Sequence, residues 1–202
     1  MRSADSIRKL ERWVKKLRKE LPLALVIANV SARMRGTDDH DHYDLGLELV
    51  RLLREAHRDT EALRVLDEMI EWYPNDVRVP ISKAKLYLYF LEDPEEALRS
   101  INLALERAHR TGFFRREALG DKARILLQLG RGEELSQVLE EIMALRIAKG
   151  VPDIGRERDF IDRAPPGLIA EDVLARYNEF RSKRAADSDA NEPPEWEDPE
   201  EG

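Results

Sequence analysis

Apolar residues recur along most of this chain at steps of three and four, the spacing that gathers one face of an α-helix. Ile7, Leu10, Val14, Leu17 and Leu21 form such a stripe at the N-terminus, flanked by Trp13 and surrounded by basic residues. The stripe predicts a first helix, capped by Ser3 or Asp5, that docks its apolar seam on the next hairpin. A short dimer seam and a membrane-surface helix are the other uses of the same pattern. Pro22 suits the first turn of a second helix over Leu23 to Arg35, which Gly36 ends. Residues 1–36 thus read as a basic N-terminal helix and a second helix, stacked ahead of the longer segment that begins at Tyr43.

From Tyr43 to Leu145 one pattern is written about three times. In the first unit Leu45, Leu49, Leu52, Leu53 and Ala56 mark a helix over Tyr43 to His57. Asp59 is the expected cap of its partner, which carries Ala62, Leu63, Leu66, Met69 and Ile70 and stops at Tyr73-Pro74-Asn75-Asp76. The second unit holds Ile81, Ala84, Leu86, Tyr87, Leu88 and Phe90 in its first helix. Asp93-Pro94-Glu95-Glu96 then supplies a cap, a first-turn proline and two acids. The third unit, about Phe113 to Ala148, is marked by Ala123, Leu126, Gly130, Leu135, Leu139 and Ile142. The anchors Ala62, Ala97 and Leu135 stand 35 and 38 residues apart, in the range of helical-hairpin repeats. Residues 43–148 therefore read as three hairpins. None can bury its own apolar face, so the units must stack, and Ala62, Ala84, Ala97 and Ala123 are small enough to let helix axes approach.

Gly150-Val-Pro-Asp-Ile-Gly155 breaks the pattern, a short helix is expected over Arg156 to Arg163, and Pro165-Pro166-Gly167 breaks it again. Leu168, Ile169, Val173, Leu174, Tyr177 and Phe180 then predict an amphipathic helix to Arg184 that caps the open end of the stack, so residues 149–184 are a loop and a capping helix. The composition of residues 185–202 reads as a disordered acidic tail.

These residues resemble the tetratricopeptide repeat (TPR) family. Leu49, Leu53, Ala62, Leu66 and Pro74 match its pattern in the first unit, Ala84, Tyr87, Ala97, Ile101 and Ala104 in the second, and Ala123, Leu126, Gly130 and Leu139 in the third. The aromatic that the family has early in the first helix is absent from all three units, and Leu135 stands where it has alanine. The resemblance implies an all-α fold, a right-handed superhelical stack of antiparallel helix pairs. It also implies a protein–protein interaction module or adaptor that binds a peptide or protein through a concave groove. Laid on that pattern, Arg51, Lys85 and Arg124 take equivalent inner positions, with Tyr89 one turn after Lys85. Such a ladder suits an acidic or carboxylate-terminated peptide.

Composition narrows the chemistry. The chain has 202 residues and no cysteine, which excludes thiol catalysis, disulfides and thiolate metal sites. The net charge of −7 argues against general affinity for nucleic acid or anionic membranes. The charge is unevenly placed, however. Eight basic residues stand among the first twenty, and the last seventeen residues hold eight acids, no base and Trp196. The tail is expected either to solubilise the chain or to contact the groove or the first helix and compete with a partner. The basic helix also leaves open a nucleic-acid or membrane-surface accessory role. His40 and His42, with Asp38, Asp39, Asp41 and Asp44, form the one cluster with metal-ligand chemistry. Neighbours in a loop do not converge on an ion without a further anchor, so a solvated loop and no metal are expected there. There is no Gly-x-Ser-x-Gly elbow, and Gly130-Arg131-Gly132 fits a turn between helices better than a phosphate loop. The expectation is no catalytic residue and no cofactor. The longest apolar run, Leu21 to Val30, is too short to span a bilayer, and the cytoplasm is the default location.

Overall fold

The computed structural model describes residues 4–36, 39–145 and 158–189, and every regular element among them is helical. The chain forms two compact units, residues 1–113 and 114–202. The first holds α1 (Ala4–Glu20), α2 (Leu23–Arg35), α3 (Asp39–Glu55), α4 (Asp59–Trp72), α5 (Arg78–Leu86) with a π-helical turn over Tyr87–Leu91, and α6 (Pro94–Thr111). The second holds α7 (Arg115–Leu129), α8 (Gly132–Ala144), α9 (Arg158–Ile161) and α10 (Glu171–Asp189).

In the first unit each helix packs against the next. The seam of α1 is occupied: Val14 is buried, and Leu10, Trp13 and Leu17 pack on the same core as Val26, Val30, Leu49 and Leu53. Arg33 of α2 lies 4.6 Å over the Trp13 ring. The docked seam leaves little apolar surface on α1 for a dimer or a bilayer.

The helix α3 starts at Asp39, four residues ahead of the expected Tyr43. Packing accounts for the extension. His42 and Tyr43 are both buried, His42 stacked 4.6 Å from Trp72 and Tyr43 edge-on to Tyr73 at 5.1 Å, both at the end of α4. Burying two rings against α4 overrides the weak helix preference of a run rich in aspartate and histidine. Asp59 is not the cap of α4 but its first residue, with Arg58 at the cap position. The Arg58 guanidinium donates to both oxygens of Glu61 at 2.6 Å, tying down the first turn.

Two aspartates do act as caps. Asp76 Oδ1 accepts from the backbone N–H of Arg78 (2.8 Å) and Val79 (3.2 Å) and from the Tyr43 hydroxyl (3.2 Å). Asp93 Oδ1 accepts from the Glu96 N–H at 3.0 Å, with Pro94 in the first turn of α6, as its sequence predicts. Before Asp93 the chain does not continue as α-helix through Phe90. It widens into the π-turn and leaves it through Glu92 in the left-handed region, φ 54°. The extra residue in that turn rotates large side chains off the buried face, so Tyr89, Phe90 and Leu91 are exposed.

The joint between α4 and α5 is closed by Arg107 of α6, only 5% exposed. Its guanidinium donates to the carbonyls of Ile70 (3.3 Å), Tyr73 (3.2 Å) and Asp76 (2.9 Å). These oxygens lie at the end of α4 and in the turn beyond it, where the last helical carbonyls lack intrahelical partners and the dipole favours a cation. Burial pushes the Arg107 pKa down, aided by Arg110.

In the second unit α7 and α8 form a hairpin whose core includes Ala123, Leu126, Leu135, Leu139 and Ile142, all fully buried. Gly130 ends α7 at φ 69°, a backbone angle that glycine adopts without strain. α10 packs on α8 as the expected capping helix, with Val173 and Tyr177 buried and Arg176 donating to Glu140 at 2.7 Å. Its backbone stays helical past the expected end at Arg184, as far as Asp189. The turn before α10 presses on the start of α8: a Cβ on Gly132 would stand 1.8 Å from the Leu168 carbonyl oxygen. Beside it the Ala170 N–H donates to Ser136 Oγ at 3.3 Å. Part of the expected helix over 156–163 is present as α9. The expected break at 150–155, Trp196 and the rest of the segment from residue 190 lie outside the described residues.

Candidate functional site

On one side of the first unit α1 meets α3, and α3 meets the π-turn that follows α5. Arg18 of α1 donates to Glu55 of α3 at 2.5 Å, and the Arg54 guanidinium of α3 lies 3.6 Å over the ring of Phe90 in the π-turn. Between α1 and α3 runs a groove of about 560 Å³, floored by Val14 and edged by Lys15, Arg18, Lys19 and Arg51, with Glu11 and Glu48 on its walls.

The charge on this side is partly compensated. Arg51 donates to both oxygens of Glu48, at 2.8 and 2.5 Å, and lies 3.5 Å from Glu55. The Glu48 hydrogen bonds are the main cause of its raised pKa. Arg54 is pushed the other way by burial, with Asp59 opposing. Its partner is an aromatic face, which attracts a cation through the ring quadrupole. Next to it Tyr89, Phe90 and Leu91 are 46%, 49% and 36% exposed, three large apolar side chains in a row. A guanidinium over one ring, with apolar groups open beside it, can take an apolar side chain and an acidic one together.

Of the residues singled out from the sequence, Arg51, Lys85 and Tyr89 all belong to this unit, Arg51 on α3 and the other two on α5 and its π-turn. Arg124 belongs to α7 of the second unit, where its guanidinium lies 4.6 Å over the Phe160 ring. Trp196 lies outside the described residues. Sequence reasoning missed Arg54 and placed Phe90 in the apolar pattern of a continuous first helix. The available signal was the run Tyr87 to Leu91, too densely apolar for all five side chains to share one buried face. Arg107 was also missed, because one more arginine on a charged helix carries no mark of burial.

His42 is buried, stacked on Trp72, with Nδ1 3.2 Å from the Tyr73 hydroxyl, and the side chain of His40 lies outside the described residues. Among the described residues no three His, Asp or Glu side chains are placed to hold an ion, and no helix is long and apolar enough to cross a membrane.

Two solved structures share the fold. Both are of a kinesin light chain-type protein of Podosopora anserina with nearly identical TPR-like repeats, one of them a point variant. The variant aligns with TM-score 0.59 and 14% identity over 92% of this chain and 99% of its own. The other gives 0.57 and 14% over 94% and 96%. No family model matches the chain, and no curated protein does. At this identity the likeness establishes the fold: an all-α, TPR-like arrangement of helical hairpins.

Proposed function

We propose that the protein is a protein-interaction module, an adaptor that takes an acidic peptide segment of a partner along the side formed by α1, α3 and α5. The observation that carries the reading is the exposed Tyr89-Phe90-Leu91 run beside Arg54. It offers an apolar anchor point next to cations on a surface that the helices hold rigid. Arg51, Lys85 and Tyr89 supply charge-assisted and polar contacts to the segment, and Phe90 and Leu91 take its apolar side chain. The match to TPR-like repeats supports the reading, since stacked helical hairpins present extended binding surfaces.

The test is a random dodecapeptide display library panned against the full chain, with the enriched peptides then measured by fluorescence anisotropy. The expected winners combine Asp or Glu with Leu or an aromatic residue. Phe90→Ala should weaken them about tenfold, equivalent to about 1.4 kcal/mol. Arg51→Ala and Lys85→Ala should weaken them less, with an effect that shrinks in high salt. Enrichment of basic peptides, or binding unchanged by Phe90→Ala, would overturn the reading.

A further inference from the structure

The groove between α1 and α3 carries an excess of positive charge, with Lys15, Arg18, Lys19 and Arg51 set against Glu11 and Glu48. The arginines are engaged. Arg18 donates to Glu55 at 2.5 Å, Arg51 holds both oxygens of Glu48, and Glu55 lies 3.5 Å from Arg51. Arg18, Glu55, Arg51 and Glu48 thus form one alternating chain of charges from α1 onto α3. The lysines are not engaged. Lys15 and Lys19 are exposed, and neither has an ion-pair partner among the described residues, although Glu11 stands one turn before Lys15. Four positions apart on α1, the two lysines share a face and are separated by about 6 Å along the axis.

We propose that this groove takes a phosphorylated serine or threonine of the partner segment, an inference that deepens the peptide-binding reading and rests on it. A side-chain carboxylate brings one charge and competes for Arg18 and Arg51 with Glu48 and Glu55, which already hold them. A phosphate brings nearly two charges and three strong acceptor oxygens. Lys15, Lys19 and one guanidinium fork can meet those oxygens together, each through a charge-assisted hydrogen bond. Other phosphate-bearing partners fit less well. No aromatic or amide side chain lines the groove to stack on a base or read its edge. The apolar residues that would anchor α1 in a bilayer, Leu10, Trp13 and Leu17, pack on the core. The apolar anchor of the segment lies on the other flank of α3, where Arg54 stacks on Phe90. One packed helix, a width of about 10 Å, separates the two sites, and about three extended residues cross that distance. The segment is therefore a phosphoresidue with a large apolar residue about three positions away.

The probe is a degenerate dodecapeptide pool with one fixed phosphoserine, captured on the full chain beside matched pools that carry serine or glutamate at that place. The phosphoserine pool should be retained at least about fivefold more than the glutamate pool. Sequencing should show leucine, methionine or an aromatic residue enriched about three positions from the phosphoserine. Retention should fall between pH 7.5 and 5.5, because the phosphate takes up its second proton at about pH 6. The glutamate pool stays ionised over that range and should change little. The full chain carrying Lys15→Ala and Lys19→Ala, both exposed positions, should keep no more than about a twofold preference for phosphoserine. It should still bind unphosphorylated acidic peptides through Phe90. Equal retention of the phosphoserine and glutamate pools, or a preference that survives loss of both lysines, would overturn the proposal and leave Phe90-dependent peptide binding standing. Retention of no pool at all would overturn both. A single-stranded DNA dodecamer that binds more tightly than the phosphoserine pool and displaces it would assign the groove to nucleic acid and overturn the proposal as well.

Discussion

At the end of α4 three carbonyls are met by the forked guanidinium of Arg107, reaching across from α6. At the start of α8 the tightest contact is made by backbone: the Leu168 carbonyl lies where any residue but glycine at 132 would put a Cβ. Both joints hold the beginning or end of one helix against a later segment of the chain. The first does so through a long side chain that can shift, the second through two backbones in contact. A side-chain joint degrades in steps as hydrogen bonds are removed. A backbone joint has no slack, because interiors are close-packed and neither partner can rotate away.

The sharpest way to break that contrast is Gly132→Ala. On an open helix the change would gain up to about 1 kcal/mol from helix propensity. Here the methyl group must displace the Leu168 backbone, and with it the Ala170 to Ser136 hydrogen bond. The expected outcome is a loss of about 3 kcal/mol, read as a lower urea midpoint. A neutral or stabilising result would mean that the α8–α10 turn is not held against α8 as described.

Arg107→Met comes next. It keeps much of the buried stem and removes all three donors from the α4 joint, and about 2 kcal/mol of stability should go with them. Arg107→Lys sharpens the comparison. A single ammonium cannot reproduce the planar fork, so lysine should recover less than half of the loss. Full recovery by lysine would show that charge at the helix end matters and the fork does not.

Neither joint was legible in the sequence, although the helices they connect were. The three-and-four periodicity, the Asp93-Pro94 start and the Gly130 stop are local signals, each read from a few neighbouring residues, and the structure bears them out. Arg107, Gly132 and the extension of α3 through His42 and Tyr43 depend on residues 30 to 37 positions away, which no local pattern reports. The candidate surface divides in the same way. Repeat register nominated Arg51, Lys85 and Tyr89, which lie on α3, α5 and the π-turn of the first unit. The carboxylates that hold Arg51 lie one helical turn away, and the stacking of Arg54 on Phe90 exists only because α3 and the π-turn meet.

Gly46 gives the finest test, because it resembles Gly132 in sequence and differs in what it meets. A Cβ there would stand 2.6 Å from the Met69 sulfur and 3.0 Å from its terminal methyl, with no backbone atom among the nearest contacts. Methionine has three rotatable side-chain bonds and adapts to irregular space, although Met69 is fully buried and must find that space inside the α3–α4 core. Gly46→Ala therefore sets a helix-propensity gain of about 1 kcal/mol against a repacking cost of similar size. Its net effect should lie within about 1 kcal/mol of zero. Combining it with Met69→Leu, which lacks the sulfur and the long flexible end, should change that balance, whereas Met69→Leu combined with Gly132→Ala should simply add. If Gly46→Ala costs as much as Gly132→Ala, the slack assigned to side-chain contacts is absent from this core, and the contrast between the two kinds of joint fails with it.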